Sequence, residues 1–293
     1  MSKSLLGTYF QFLRSPDLNA LPIPLQNQTA IRPILGLYSV HLLIVLIVLI
    51  VLSVIGQVPN AGDSNNILDA IADMPVWYLP VMAVLVAPLQ EECIFRLPLR
   101  PFAASLALSI SLIVLIAFSW FAVLPSPLLL VLATALASLN LYLWARGSKV
   151  ARLQPIYNHY PRVIFYGIAL LFGAVHITNY DTQVWPFLPI LVMPQIIVGL
   201  LLGFVRLRYG FGWSFLLHAF HNGCLLLPVV LVQLFGSKQL QTLITESAGL
   251  ENLSLTDEVI MSAVSLYMLG GLLLCGVIAW RVIREWTTRK AQS

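Results

Sequence analysis

Ionisable residues stand inside apolar stretches at three places in this 293-residue sequence, and their types suit hydrolysis. The first is Glu91-Glu92-Cys93-Ile94-Phe95-Arg96. On a helix Glu92 and Arg96 are i,i+4 neighbours and can pair, whereas Glu91 is rotated by about 100° from Glu92. One carboxylate is then held by the arginine while the other is left to act on a water. The alternative reading is a charged helix end at a membrane interface. The second place is Phe172-Gly173-Ala174-Val175-His176, where a lone histidine also reads as a polar interfacial residue. The third is His218-Ala219-Phe220-His221-Asn222, in which His218 and Asn222 share a helical face. Ionisable groups inside a membrane helix are functional candidates by default. The other readings here are an interhelical hydrogen-bond cluster, at about 0.6 kcal/mol per contact, and metal binding by His218 with His221.

These residues need apolar elements to carry them. The chain is 59% hydrophobic and 10% charged, against about 25% charged in a soluble domain. Apolar runs of about 20 residues, long enough to cross a hydrocarbon core, cover nearly all of it. Inside a bilayer each backbone group must be satisfied within its own segment, so these runs read as helices. The expected fold is all-α, a polytopic membrane bundle of about eight transmembrane helices near 36–58, 75–97, 101–124, 127–146, 162–179, 185–207, 211–235 and 261–283. The three places fall on the second, fifth and seventh spans. Depths counted at 1.5 Å per residue are roughly 10 Å for Glu91, 15 Å for His218 and 20 Å for His176. Tilts of about 20° can absorb the spread.

Loop charges test the count. Arg14 and Arg32 precede the first span, and Asp63, Asp69 and Asp73 follow it. Basic segments (Arg96 and Arg100; Arg146, Lys149, Arg152 and Arg162; Arg206 and Arg208; Arg281, Arg284, Arg289 and Lys290) then alternate with non-basic ones. By the positive-inside rule both termini are cytoplasmic, and the expected location is a prokaryotic plasma membrane. The late start and length of the first apolar run exclude a cleavable signal peptide. Residues 1–34 read as a cytoplasmic tail, in which 5–14 is a short amphipathic interfacial anchor or an irregular segment. Residues 35–284 read as the bundle and 285–293 as a second tail. The net charge of +4 sits at helix ends rather than on one face, which argues against a nucleic-acid partner. Cys93, Cys224 and Cys275 lie in apolar runs without metal-ligand spacing and read as packed thiols.

E-E-x-x-x-R, then F-x-x-x-H, then H-x-x-x-N on successive apolar helices resembles the CAAX protease and bacteriocin-processing (CPBP, or Abi) family of intramembrane endopeptidases, relatives of the type II CAAX prenyl proteases. The stretch around Gly199, Gly203, Gly210 and Gly212 is similar too. The resemblance covers about residues 75–235. Two departures stand out. The gap between the first two motifs is very roughly 50 residues longer than the family's, which an inserted hairpin at 101–146 would explain without changing orientation. Leu97 also stands where many members have glycine.

The resemblance implies an endopeptidase acting near the cytoplasmic face on a peptide or protein substrate, lipidated or not. Glu91 would be the general base on a water that His176 helps to position. Glu92 and Arg96 would hold Glu91. His218 and Asn222 would stabilise the oxyanion. The cofactor is open: none, or one divalent metal such as Zn²⁺ held by Glu91, His176 and His218, the second case making the protein a metalloendopeptidase. Two other functions remain in play, a non-enzymatic membrane immunity factor or scaffold that retains the site, and a proton-coupled transporter.

Overall fold

A computed structural model describes residues 4–19, 30–55, 75–120, 123, 125–147, 150–180, 187–245 and 253–291. Among the described residues the chain is helical and contains no strand. Its elements are α1 (Leu5–Arg14), α2 (Ile31–Ile55), α3 (residues 78–95), α4 (Ala103–Trp120), α5 (Ser126–Arg146), α6 (Gln154–His159), α7 (Pro161–Val175), α8 (Leu188–Leu191), α9 (Met193–Tyr209), α10 (Phe211–Phe235), α11 (Lys238–Thr245) and α12 (Leu255–Ala291). Among the described residues seven segments are long and apolar enough to cross a membrane. They lie on α2, α3, α5, α7, α8–α9, α10 and α12, and α4 is apolar but shorter. The protein is therefore an integral, multi-pass helical bundle.

The centre of the bundle is α9. It packs against α7 on one side and against α2 and α10 on others. Small residues permit this. A Cβ on Gly203 would come within 2.8 Å of Phe165 on α7, and one on Gly199 within 3.0 Å of Phe172. From the other side, a Cβ on Gly173 would run into Ile196. In lipid, where apolar faces gain little by leaving the solvent, such close backbone approach is a main source of helix association. Gly210 separates α9 from α10 with φ +104°, a conformation that residues with a Cβ rarely adopt. The chain can thus reverse in one residue, and α10 returns along α9.

α3 is not a uniform α-helix. Tyr78–Pro80 is α-helical, Val81–Val86 is π-helical, and Ala87–Phe95 is α-helical again. The Ala87 N–H bonds the Met82 carbonyl, one residue further back than in an α-helix. In the same register the next donor, residue 88, would bond Ala83. Residue 88 is proline and has no N–H to give. The Asn222 side chain on α10 donates to the Ala83 oxygen instead, at 2.9 Å.

α4 and α5 form an antiparallel hairpin. Asn140 Nδ2 on α5 donates to Ser111 Oγ on α4 at 2.9 Å. α4 leans on α3, whereas α5 packs on α4. The hairpin's two ends meet, because the Val150 N–H bonds the Pro101 carbonyl at 2.9 Å. At the chain's start α1 is tucked against the bundle rather than loose. Ser4 caps it through the Gly7 N–H at 3.1 Å. Its Leu6 and Tyr9 are buried, and the Tyr9 hydroxyl lies 2.8 Å from Nε2 of His41, a buried histidine of α2.

Candidate active site

Glu91 and Glu92 both lie in the last two turns of α3, but their surroundings differ. Glu92 has no exposed surface. A carboxylate taken fully out of water must be compensated nearby. Arg96, also wholly buried and one turn on, places Nε 3.4 Å from Glu92 Oε1. Ser214 Oγ on α10 donates to Glu92 Oε2 and lies 3.0 Å from the Leu202 carbonyl oxygen. His218 Nδ1, one turn further along α10, is 3.1 Å from Glu92 Oε1. The pairing of Glu92 with Arg96 expected from their spacing is the one observed.

Glu91 is left partly open. Its side chain keeps 26% of its surface and stands 3.7 Å from His218 Nε2 through Oε2. That oxygen is itself buried and has no hydrogen-bond partner among the described residues, so the open part of the side chain lies away from it. His218 therefore stands between the two carboxylates, with Nδ1 toward Glu92 and Nε2 toward Glu91. An Nδ1–H donated to the buried carboxylate leaves Nε2 to act on whatever enters beside Glu91.

Phe172 joins the third helix to this group. The Arg96 guanidinium stands over the Phe172 ring at 4.3 Å, and the same ring meets His218 edge-on at 5.8 Å and His176 at 4.9 Å. The Phe172 carbonyl lies 2.7 Å from His176 Nδ1. A carbonyl can only accept, so Nδ1 carries the proton and Nε2 is the basic nitrogen of His176. The F-x-x-x-H spacing thus has a local meaning: residue i holds the ring of residue i+4 and stacks under the arginine of the first motif.

Three features escaped the sequence reading. Ser214 is one; its signal was the i, i+4, i+8 stripe Ser214-His218-Asn222 on a single face of α10. The second is the bond from Asn222 to Ala83, which depends on the π register and has no sequence signature. The third is the partner of His221, whose Nδ1 lies 3.1 Å from the Tyr38 hydroxyl on α2. His221 thus pairs with Tyr38 on α2, an element that the motifs did not include.

The metal readings gain no support from this arrangement. Among the described residues no three His, Cys, Asp or Glu side chains gather in a way that could hold a metal ion. The set Glu91, His176 and His218 is not such a cluster, and His221 is bonded to Tyr38. Nδ1 of His218 is taken by Glu92 and Nδ1 of His176 by a backbone oxygen.

The family comparison bears on the same helices. Residues 143–224 match the Rce1-like family, type II CAAX prenyl endopeptidases. The match agrees with the CPBP resemblance of the motifs and implies a peptidase of the CAAX-protease type. It begins at the end of α5 and runs to the middle of α10, and so contains Phe172, His176, Ser214, His218 and Asn222. It does not reach Glu91, Glu92 or Arg96, which join the matched segment through contacts in space. No curated protein and no solved structure gives a significant match to the chain.

Proposed function

We propose that the protein is an intramembrane endopeptidase that hydrolyses a peptide bond with a water activated by Glu91. The observation that carries this reading is His218 standing between a buried, compensated carboxylate and a second carboxylate with an unpartnered oxygen.

In this mechanism Glu91 takes a proton from a water bound at the open part of its carboxyl group, and the water oxygen attacks the scissile carbonyl. His176 Nε2, its tautomer set by the Phe172 carbonyl, orients that water. The second amide N–H of Asn222 donates to the oxyanion as it forms, and so does His218 Nε2 when the ring, set between the two carboxylates, carries a proton on both nitrogens. The proton on Glu91 then passes to the leaving amine. Glu92, with Arg96 and Ser214, fixes the plane of the His218 ring. The substrate is a peptide segment presented within the membrane at the basic, cytoplasmic side of the bundle. The prenyl endopeptidase description of the matched family makes a prenylated C-terminal peptide the first substrate to try.

The test is cleavage of prenylated and unprenylated peptides by purified protein in proteoliposomes. Glu91→Gln should lower kcat by about 10²–10⁴, the usual worth of general-base catalysis. His218→Ala should lower it by at least about 10², the effect of losing an oxyanion donor. Cleavage by wild type that persists unchanged in both variants would overturn the reading.

A further inference from the structure

One face of α1 and one face of the end of α12 enclose an open groove of about 580 Å³, lined by Gly7, Phe10, Gln11, Arg14, Trp286 and Lys290. The α1 residues recur at i, i+3, i+4 and i+7 and the α12 residues at i and i+4, so each set shares a helical face. The opposite face of α1, with Leu6 and Tyr9, is buried in the bundle. The groove is therefore a built feature on the outside of a helix that is itself fixed.

Its chemistry is divided. Phe10 and Trp286 form the apolar part, their rings 5.5 Å apart. The Trp286 indole lies beside Gly7, 3.8 Å from where a Cβ would stand, which is ordinary contact distance. The rim is cationic, with Arg14 from α1 and Lys290 from α12, whose ammonium is 5.5 Å from the Trp286 ring. None of the six lining residues is acidic. The nearby Glu285 is bound to Arg289 at 2.7 Å. The groove also lies where the apolar run of α12 gives way to Arg281, Arg284, Trp286, Arg289 and Lys290. Aromatic and basic residues in that order mark the headgroup level of a bilayer.

We propose that this groove binds an anionic phospholipid, with the phosphate between Arg14 and Lys290 and the first acyl segment along Phe10 and Trp286. A zwitterionic lipid offers the same chain without the net charge. A soluble phosphate offers the charge without the chain. Each basic residue near an anionic headgroup contributes about fivefold in affinity, so the pair should give up to about 30-fold preference for an anionic lipid.

The experiment is native mass spectrometry of the full chain in neutral detergent, titrated with phosphatidylglycerol or phosphatidylcholine. Wild type should retain one phosphatidylglycerol with a preference of about 10–30-fold. R14Q/K290Q should reduce that preference to about threefold or less, and the exposed charge-matched pair R152Q/R162Q should leave it intact. Equal loss in both double variants would mean diffuse electrostatics and overturn the site, as would no loss in either. Displacement of the lipid by millimolar inorganic phosphate would overturn the lipid assignment in favour of a simple anion site. A second measurement needs no variant. Phosphatidylglycerol, but not phosphatidylcholine, should protect Lys290 of wild type from a water-soluble acylating reagent while the exposed Lys238 stays reactive. Unprotected Lys290 at saturating lipid would also overturn the proposal.

Discussion

A carboxylate with no exposed surface is tolerated only while its oxygens are answered, and Glu92 has three answers of unequal weight. Arg96 supplies the opposite charge at 3.4 Å, and Ser214 and His218 supply donors. Removing one partner of a buried ion pair typically destabilises by about 3–5 kcal/mol, because the other charge is left unmatched. Removing a hydrogen bond to a charged group costs about 1.5–3 kcal/mol. Arg96→Ala should therefore be markedly less stable than Ser214→Ala when both are unfolded in mixed micelles. The reverse order would mean that Glu92 does not depend on the arginine. At this scale much of the site was legible. The i,i+4 rule paired Glu92 with Arg96 and separated Glu91 from them. The same rule, applied one turn back from His218, reaches Ser214. A serine in an apolar helix does not announce itself as an ionisable residue does, and only the packing of α10 on α3 shows what its hydroxyl meets.

Helices meet where side chains allow their backbones to approach, and α7 contains an internal comparison. A Cβ on Gly173 would collide with Ile196 on α9, whereas one on Gly167 would meet nothing within 4 Å. Gly173→Ala should destabilise the bundle by about 1–3 kcal/mol, the usual cost of overpacking. Gly167→Ala should be neutral or stabilising by up to about 1 kcal/mol, from helix propensity alone. Unfolding of the two variants side by side checks this, and equal effects would mean that the α7–α9 contact is looser than described. A second comparison concerns α3. The Ala83 carbonyl takes its hydrogen bond from Asn222 because residue 88 has no N–H. Asn222→Ala should cost about 1–3 kcal/mol by leaving that oxygen unpaired. Pro88→Ala restores a donor in the chain, so Pro88→Ala/Asn222→Ala should recover at least half of the loss in a double-mutant cycle. Strict additivity of the two changes would sink this account of the π segment. The helices themselves, and their order, were readable from apolar run length. The π register was not, because it arises from a proline on α3 and its partner 134 residues on in α10.

The whole molecule divides unevenly around the α4–α5 hairpin. Loop charges and run lengths fixed the number of spans within one short helix. The unusual gap between the Glu and Phe-His motifs pointed to extra chain at 101–146, and the fold gives that gap a shape. The hairpin leaves the bundle at Pro101 and returns at Val150, where the two residues share a backbone hydrogen bond of 2.9 Å. The family match begins at residue 143, as the hairpin ends. Inside the bundle α4 touches α3, with Ser109 Oγ 2.6 Å from the Cys93 carbonyl. The apolar exposed surface of α5 faces outward, as Leu128, Leu130, Val131 and Leu141 show. Cutting out residues 102–149 and joining Pro101 to Val150 removes both arms of a hairpin whose ends already meet, so every remaining helix keeps its direction. The face of α3 that α4 had covered would pack against lipid, at little cost to an apolar surface that is never returned to water. The shortened protein should fold, stay monodisperse in detergent and retain peptide cleavage within about tenfold of wild type, since Glu91, Glu92, Arg96, His176 and His218 take no hydrogen bond from α4 or α5. Aggregation of the shortened chain, or loss of cleavage from a protein that still melts cooperatively, would instead make the hairpin a working wall of the site.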